Sequence, residues 1–329
     1  MLVNELESYL RRVRALTGRR IVITNGSQDA LFLAAQVLVA PGDVVAMETP
    51  GYPPAEAAFR CAGATIARVR VDGEGVDASA FAATAKRQRL KLLYLTPLHQ
   101  FPTTVTLSLS RRFEVYEIAA RHGVAILEDD YDHEFHYKSQ PLAPLASYDP
   151  AGLVVYASSF SKMLFPSARI GVLAVPEALY EPLRGMRRVA SNQSDFLMQD
   201  ALARWMRSGA FERHLRKMRR VYEERLNVLN DLLMVEKGRG RDLRWTRPDG
   251  GMALWVRFPT DALQLSIEAA RFGVHIEPQN ELAGARSRSS FVRLGYSMQT
   301  PTELRSGVAL LMKAADRAQR DRGPRPVRS

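Results

Sequence analysis

Short apolar runs alternate with helical segments along the first 175 residues, and this rhythm limits the folds that the chain can adopt. Six runs have the length and the β-branched content of buried strands: RIVITNG (20–26), DVVAMETP (43–50), KLLYLTP (91–97), VAILEDD (124–130), LVVYASS (153–159) and RIGVLAVP (169–176). Strands that alternate with helices favour a mainly parallel sheet covered on both faces, which is an α/β architecture. Ligands of such sheets bind at the carboxyl ends of the strands.

The pattern changes after residue 175. Residues 176–235 predict helices, and a smaller set of strands follows before a last helix over 300–317. We therefore expect an N-terminal helix over 1–18, a large domain over 19–210 and a small C-terminal α+β domain over 211–329. The N-terminal helix should bury one apolar face, formed by Leu2, Leu6, Leu10 and Val13. The basic, proline-containing tail from about residue 316 is expected to be disordered.

Composition excludes several classes of protein. No apolar run is long enough for a membrane span, and a single cysteine, Cys61, excludes an internal disulfide and favours a cytoplasmic location. The net charge of +11 raises the question of nucleic acid. The positive charge is spread out and has no interleaved aromatic residues, so we interpret it as a solvated surface. Any DNA binding by this chain should be weak, sensitive to salt and without sequence preference.

Two polar stretches follow predicted strands. TNGSQDA (24–30) is a strand-to-helix turn whose free N–H groups suit a phosphate, although Ser and Asn also serve as ordinary helix caps. EDDYDHEF (128–135) begins with three consecutive carboxylates, which repel one another unless a cation or a proton donor is present. That partner is either a divalent metal held by Asp129 and Asp130 or a protonated heterocycle nitrogen; a solvated acidic loop is the third possibility.

Two cations stand out in their surroundings. Only seven of the 46 Lys and Arg residues are Lys, and one of them, Lys162, follows the strand LVVYASS. Lysine, unlike arginine, can lose its proton and act as a nucleophile or form a Schiff base. Arg293 lies inside the apolar run SSFVRLGYS (289–297) and needs an anionic partner, either a protein carboxylate or a substrate carboxylate.

As a set, these stretches resemble the fold-type I pyridoxal-phosphate enzymes of the class I/II aminotransferase family. Within that family the chain is most similar to the aminotransferase-like domain of the MocR-type regulators of the GntR group. The likeness extends from residue 19 to about 312 and rests on four motifs: ETPGYP (48–53), TPLHQFPTT (96–104), EDDYDHEF (128–135) and SSFSKMLFPSARIG (158–171). It implies a fold-type I architecture with pyridoxal 5'-phosphate as cofactor and no metal.

The resemblance implies a role for each candidate residue. Lys162 is expected to form a Schiff base with the cofactor and to carry the proton between it and the substrate. Asp129 is expected to pair with the pyridine nitrogen, and Tyr131 with the phenolic oxygen. Tyr52 matches the aromatic residue that stacks on the pyridine ring, and Arg293 the residue that binds the substrate carboxylate. The remaining matches are to the residues that hold the phosphate: Gly26, Ser27, Gln28, Ser159 and Arg169.

The chain also departs from the family pattern. Thr96 or His99 is expected to replace the asparagine that contacts the cofactor oxygen, and Thr104 stands where the related regulators favour glycine. No stretch matches the winged-helix domain of those regulators. The Tyr-Gly-x-Pro-x-Gly segment, which normally precedes the first helix and supplies a tyrosine to the cofactor phosphate, is also missing, and we expect this to limit activity.

Three hypotheses follow. The first is a homodimeric aminotransferase that acts on an amino acid or amine and a 2-oxo acid. The second is a sensor domain of a MocR-type regulator that binds pyridoxal phosphate and an effector with little or no turnover. The third is a decayed fragment that folds without the cofactor. The complete set Asp129, Tyr131, Lys162, Arg169 and Arg293 argues against the third, because folding alone does not require it.

Overall fold

A computed structural model describes residues 2–138, 140–192, 195–278 and 289–320. These residues fall into two compact units. The first contains residues 2–101 and 105–218, and the second contains residues 102–104 and everything described after 218. No helix within the described ranges is long and apolar enough to cross a membrane.

The first unit is built on an eight-stranded sheet. Its strands are β1 (Arg20–Thr24), β2 (Val44–Thr49), β3 (Thr65–Asp72), β4 (Gly75–Val76), β5 (Leu90–Leu95), β6 (Ala125–Asp130), β7 (Val154–Ser159) and β8 (Gly171–Val175). The spatial order is β1-β8-β7-β6-β5-β2-β3-β4. Strands β3, β2, β5, β6 and β7 pair in parallel, whereas β8 runs antiparallel to both of its neighbours. The prediction of a mainly parallel sheet is confirmed.

Helices surround this sheet, as the alternating pattern predicts. They are α1 (Leu2–Arg14), α2 (Ser27–Leu38), α3 (Pro53–Cys61), α4 (Ala78–Arg87), α5 (Leu109–His122), α6 (Glu177–Ser191) and α7 (Phe196–Arg207). Side chains cap three of these helices, because Asp77 accepts a hydrogen bond from Ala80 N–H, Ser108 one from Arg111 N–H and Asp195 one from Met198 N–H. The central strands are buried on both faces, and their apolar residues form the core with those of α2 and α3.

The second unit is smaller. It contains a three-stranded antiparallel sheet in the order β10-β11-β9, from β9 (Ala253–Arg257), β10 (Glu277–Pro278) and β11 (Phe291–Gly295). Helices α9 (Ala262–Arg271) and α10 (Pro301–Arg320) belong to it, and the long helix α8 (Ala210–Gly238) begins in the first unit and ends in the second.

Two expectations are wrong in detail. Val13 is 39% exposed and does not belong to the buried face of α1, which carries the fully buried Arg14 instead. The last helix continues to Arg320, so residues 316–320 are ordered helix and not a disordered tail. Residues 321–329 lie outside the described residues.

Candidate active site

The acidic segment at the end of β6 is buried, which excludes the solvated-loop interpretation. Glu128 accepts hydrogen bonds from the backbone N–H groups of Leu145 and Ala146 at 2.9 and 3.0 Å. Burial raises its pKa to about 7. The described part of the chain contains no group of three or more His, Cys, Asp or Glu side chains arranged to hold a metal ion.

Asp130 has strong internal partners. Its Oδ2 accepts a hydrogen bond from the Tyr156 hydroxyl at 2.6 Å and lies 2.8 Å from Nδ1 of His133. Burial alone would raise the pKa of Asp130, but the His133 imidazole, the Arg14 guanidinium and Tyr156 outweigh it and hold the pKa well below its usual range. Asp130 is therefore an ionised carboxylate whose charge is compensated inside the protein.

Asp129 lies in a different environment. Its Oδ2 accepts one hydrogen bond, from the Tyr94 hydroxyl at 2.8 Å, and no described residue reaches its buried Oδ1. Burial, the strongest effect, raises its pKa to about 7, and the charges of Asp130 and Asp132 add to that rise. A buried carboxylate with a free oxygen is stabilised in its charged form by any cationic N–H placed against it.

Tyr131 and His99, which lie on the loops after β6 and β5, contact each other. The Tyr131 hydroxyl donates to the backbone carbonyl of His99 at 3.0 Å. Nδ1 of His99 lies 2.7 Å from Oδ1 of Asp132, and the His99 ring stacks on His136 with 5.8 Å between the ring centres. Nε2 of His99 is buried without a hydrogen bond from any described residue. The Asp132 carboxylate therefore orients the imidazole and leaves its other nitrogen available.

The hydroxyl of Thr96, the other predicted replacement for asparagine, already forms hydrogen bonds within the protein. Its hydroxyl donates to Oε2 of Glu48 at 2.9 Å and accepts from Phe101 N–H at 2.9 Å. The ring of Tyr52 packs edge-on against Phe101, with 5.0 Å between the ring centres. Because the Thr96 hydroxyl already holds the loop together, His99 is the better placed of the two to contact a ligand.

The predicted phosphate residues lie at two neighbouring turns. Gly26 is the N-cap of α2, with φ 91°, and a side chain there would place its Cβ 3.2 Å from the guanidinium carbon of Arg169. Arg169 itself has φ 45°, and a Cβ on Gly171 would come within 2.6 Å of the Gly26 backbone. The two turns therefore pack backbone against backbone, with a guanidinium beside the start of a helix.

Two polar side chains belong to the first turn of α2, next to this corner in sequence. Ser27 is half-buried in the first turn of the helix. Nε2 of Gln28 donates to the carbonyl of Pro54 at 3.0 Å, and no described residue bonds its buried Oε1. Free N–H groups, the helix dipole and the Arg169 charge together make this corner suited to an anion.

Lys162 comes three residues after the end of β7, the strand that pairs with β6 at Asp130 and Ser158. Its side chain is exposed, and the described residues give it no hydrogen bond or ion pair. Ser159 is buried at the end of β7, where its hydroxyl accepts a hydrogen bond from Ser161 N–H at 3.2 Å. The strand order therefore places an accessible amine shortly after the strand that lies next to the one carrying Asp129.

Arg293 belongs to the second unit. It lies in the central strand β11, and its side chain is 17% exposed, so it is less buried than the surrounding apolar run suggests. Its guanidinium lies 3.4 Å from the Glu277 carboxylate, which is itself 56% exposed. The structure thus shows a protein carboxylate beside Arg293, which is one of the two alternatives that the sequence left open.

Several residues that shape the site were missed by the sequence reasoning. Tyr94 and Glu48 carry groups that bond Asp129 and Thr96, and both lie within apolar strands, at positions where the chain pattern predicts only core. A tyrosine and a glutamate at strand ends are weak signals individually. Arg14 was missed because it follows an amphipathic helix pattern that ends at Val13.

Comparison with known proteins assigns the chain to a family. The family model "Aminotransferase class I and II" matches residues 2–311. The chain belongs to this family. Its large sheet unit has the fold-type I architecture of the aminotransferases that it resembles in structure.

Proteins similar in sequence to this chain include regulators and enzymes. The HTH-type transcriptional regulator TauR of Rhodobacter capsulatus is 33% identical over 307 residues, covering 92% of this chain and 62% of the regulator. The 2-aminoadipate transaminase of Thermus thermophilus is 31% identical over 315 residues, covering 94% of this chain and 78% of the enzyme. The chain spans only 62% of the length of TauR and of the probable regulatory protein MocR of Rhizobium meliloti.

A solved structure agrees with this assignment. The kynurenine aminotransferase of Pyrococcus horikoshii, crystallised in complex with PMP, superposes with a TM-score of 0.90 at 26% identity. The match covers 96% of this chain and 80% of that enzyme.

The described residues fit pyridoxal phosphate on their own chemistry. The free Oδ1 of Asp129 suits a protonated ring nitrogen, and the helix start at Gly26 beside Arg169 suits a phosphate. Lys162 offers an accessible amine three residues after β7, the strand next to the one that carries Asp129. This cofactor requires three groups: a carboxylate for its cationic nitrogen, a binding site for its anionic phosphate and an amine for its aldehyde.

Proposed function

We propose that this chain binds pyridoxal 5'-phosphate and transfers an amino group between an amino acid or amine and a 2-oxo acid. The observation that carries the proposal is the free carboxylate oxygen of Asp129, buried at the end of the strand next to the one that precedes Lys162. Membership of the aminotransferase family and the likeness to aminotransferases in sequence and structure support it.

When bound, pyridoxal phosphate supplies an electron sink for the negative charge that develops at the substrate α-carbon. Asp129 would hold a proton on the ring nitrogen, since its carboxylate is stabilised in the charged form by that contact. Lys162 would hold the cofactor aldehyde covalently and move the proton at the substrate α-carbon, which requires an amine that can become neutral. Tyr131 would donate to the phenolic oxygen by exchanging the His99 carbonyl, its acceptor in this structure, for it.

The remaining candidates would orient the cofactor and the substrate. The N-terminus of α2 at Gly26, Ser27 and Gln28 would hold the phosphate with Ser159 and Arg169. Tyr52 would cover one face of the ring, and either Thr96 or His99 would contact the phenolic oxygen, with His99 favoured by its free Nε2. Arg293 would bind the substrate carboxylate by exchanging its exposed partner Glu277 for it.

The test is covalent attachment of the cofactor. Purified protein incubated with pyridoxal phosphate should show the absorbance of a Lys-linked cofactor, and borohydride should fix the label on the peptide that contains Lys162. Lys162→Ala should abolish both signals, whereas Lys86→Ala, which removes an exposed lysine at the end of α4, should leave them unchanged. Unchanged labelling in Lys162→Ala would overturn the proposal.

A second candidate function is that of an effector-sensing domain with little turnover. The identity of 33% and 32% to the regulators TauR and MocR favours it. A panel of amino donors with a 2-oxo acid acceptor separates the two functions. New amino and oxo products indicate the enzyme, whereas a change in cofactor absorbance without product indicates the sensor.

We also propose that the chain forms a homodimer in the cytoplasm. Three large apolar side chains around the end of α6 and the start of α7 support a second copy as partner: Val189, Phe196 and Leu197, which are 85%, 69% and 81% exposed. The single cysteine supports the compartment. Sedimentation should give a dimer that Leu197→Glu weakens, and a monomer at all concentrations would contradict the proposal. No specific DNA sequence is proposed as a partner.

A further inference from the structure

Arg14, at the end of the N-terminal helix α1, is completely buried among polar groups of the site. One terminal nitrogen, Nη1, donates to the hydroxyl of Ser158 at 2.8 Å and also to the hydroxyl of Tyr156, and the other, Nη2, forms an ion pair with Glu134. The side chain of Arg14 has no exposed surface and that of Glu134 only 2%. A charge buried this deeply is stable only with such partners.

The partners of Arg14 bond one another. The Tyr156 hydroxyl donates to Asp130, the Ser158 hydroxyl donates to the Asp130 carbonyl at 2.8 Å, and the Tyr9 hydroxyl donates to Glu134 at 2.8 Å. One guanidinium therefore ties α1 to the end of β6, the end of β7 and the loop that follows β6. These are the segments that carry Asp129 and Lys162.

The charges in this cluster determine which carboxylate of the segment is available to a cationic ligand group. Asp130 and Glu134 flank the site and would compete with Asp129 for any cation or proton if their charges were not already compensated. Arg14 compensates both charges, through its ion pair with Glu134 and through its positive charge near Asp130. Among the carboxylates of 128–134, three have an imidazole or a guanidinium against them: Asp130, Asp132 and Glu134. Glu128 is bonded by two backbone amides. Asp129 has the Tyr94 hydroxyl as its one hydrogen-bond partner among the described residues.

We propose that Arg14 is a positioning residue of the cofactor site, which holds the ends of β6 and β7 together and, by compensating Asp130 and Glu134, reserves Asp129 for the ring nitrogen. This inference rests on the proposed function, because it concerns the same cofactor. The Arg14 side chain itself touches no group that we assign to the cofactor or the substrate.

The titratable groups that face Arg14 come from four elements. They are Tyr9 on its own helix, Asp130 on β6, His133 and Glu134 on the following loop, and Tyr156 on β7, with Glu212 of α8 acting on Tyr9. Loss of the guanidinium would remove the ion pair of the buried Glu134 and one of the two positive charges that act on the buried Asp130, the other being His133. Removing a counter-charge destabilises a buried carboxylate only in its charged form, so the damage should grow as pH rises.

Two substitutions separate the charge of Arg14 from its hydrogen bonds. Arg14→Gln removes the charge and keeps donors, whereas Arg14→Lys keeps the charge with a different shape. The measurement is the dissociation constant of pyridoxal phosphate relative to wild type at about pH 6 and about pH 8. For Arg14→Gln we expect about tenfold weaker binding at the higher pH and a smaller loss at the lower pH. For Arg14→Lys the ratio should not change with pH.

Arg12→Gln is the matched control, since Arg12 lies on the same helix and pairs with Glu212 at the surface. If Arg14→Gln fails to fold, Arg14→Gln with Glu134→Gln removes one buried charge and should still show the pH-dependent loss that remains from Asp130. The inference is overturned if folded Arg14→Gln binds pyridoxal phosphate as well as Arg12→Gln does. It is also overturned if the dissociation constant of Arg14→Gln relative to wild type does not change with pH. Failure of wild type to bind the cofactor would instead overturn the proposed function.

Discussion

Two consecutive aspartates at the end of β6, Asp129 and Asp130, have pKa values shifted in opposite directions by their different neighbours. Asp130 has Tyr156, His133 and Arg14 around it, so its pKa lies well below the usual range despite burial. Among the described residues Asp129 has only Tyr94 as a hydrogen-bond partner, and burial raises its pKa to about 7. Neighbouring carboxylates with opposite pKa shifts are typical of sites in which one of them has a chemical role.

The first prediction concerns Asp129 alone. Asp129→Asn keeps the hydrogen bond with Tyr94 but removes the charge that would hold a proton on the ring nitrogen. We expect kcat/KM for transamination to fall by about a hundredfold or more, with a small change in unfolding temperature. Asp72→Asn, at a surface ion pair with Arg111, is the control for loss of a carboxylate. Wild-type kcat/KM in Asp129→Asn would contradict the role that we give to this residue.

Thr104 provides a second prediction at the scale of one residue. It has φ 64°, a left-handed conformation that costs a β-branched residue about 1–2 kcal/mol. The sequence had shown threonine here where related regulators favour glycine, and the structure supplies the reason for that preference. Thr104→Gly should raise the free energy of unfolding by about 0.5–1 kcal/mol in urea titrations. Thr103→Gly, next to it and without positive φ, should lower the free energy of unfolding.

At the scale of elements, Glu48 joins two strand ends. Its Oε2 accepts hydrogen bonds from the backbone N–H and the hydroxyl of Thr96 at 3.0 and 2.9 Å, which ties the end of β2 to the end of β5. Gln100 adds a second link, because its Nε2 donates to the carbonyl of Pro50 at 2.9 Å. Three hydrogen bonds therefore join the turn that carries Tyr52 to the loop that carries His99.

Replacing Glu48 tests this link. Glu48→Ala leaves a buried N–H without an acceptor, which costs about 1–3 kcal/mol, and should loosen Tyr52 and His99 together. We expect a lower unfolding temperature and weaker binding of pyridoxal phosphate, both measured on the purified protein. Glu48→Gln keeps a carbonyl oxygen for Thr96 and should recover most of the cofactor affinity. Equal affinity in the alanine and glutamine variants would show that the hydrogen bonds do not position the site.

At the scale of the whole molecule, the architecture could be predicted because it depends on patterns that repeat. Buried parallel strands need apolar runs such as VAILEDD, and the helices between them need an apolar face, so the alternation alone predicts the sheet. The grouping of Asp129 with Lys162 could also be predicted, since the carboxyl ends of neighbouring parallel strands meet at one edge.

Partners that come from distant parts of the chain could not be predicted in this way. Arg14 reaches Glu134 across 120 residues of sequence, and no local pattern distinguishes it from the exposed Arg12 two positions earlier. The commitment of the Thr96 hydroxyl to Glu48 likewise depends on which strands are neighbours. Sequence spacing gives the residue types at a strand end, whereas their hydrogen bonds depend on the packing of several elements.

The burial of several carboxylates predicts how the stability of the cofactor-free protein depends on pH. Glu48, Glu128 and Asp129 each have a pKa of about 7 because of burial, so between about pH 4.5 and 7 the folded chain holds protons that the unfolded chain has lost. Each group therefore lowers the free energy of unfolding by up to about 1.4 kcal/mol per pH unit as pH rises through this window.

Asp130 has the opposite effect, because its lowered pKa adds stability that is lost only in stronger acid. Urea titrations should thus find the cofactor-free protein most stable near about pH 4–5 and progressively less stable towards about pH 8. Saturating pyridoxal phosphate should flatten the decline, because a cationic nitrogen beside Asp129 stabilises its charged form. Glu48→Gln should remove the contribution of Glu48 to the decline of the free energy of unfolding with pH, with or without the cofactor. A free energy of unfolding that rises between about pH 5 and 8 would show that these carboxylates are ionised in the folded chain.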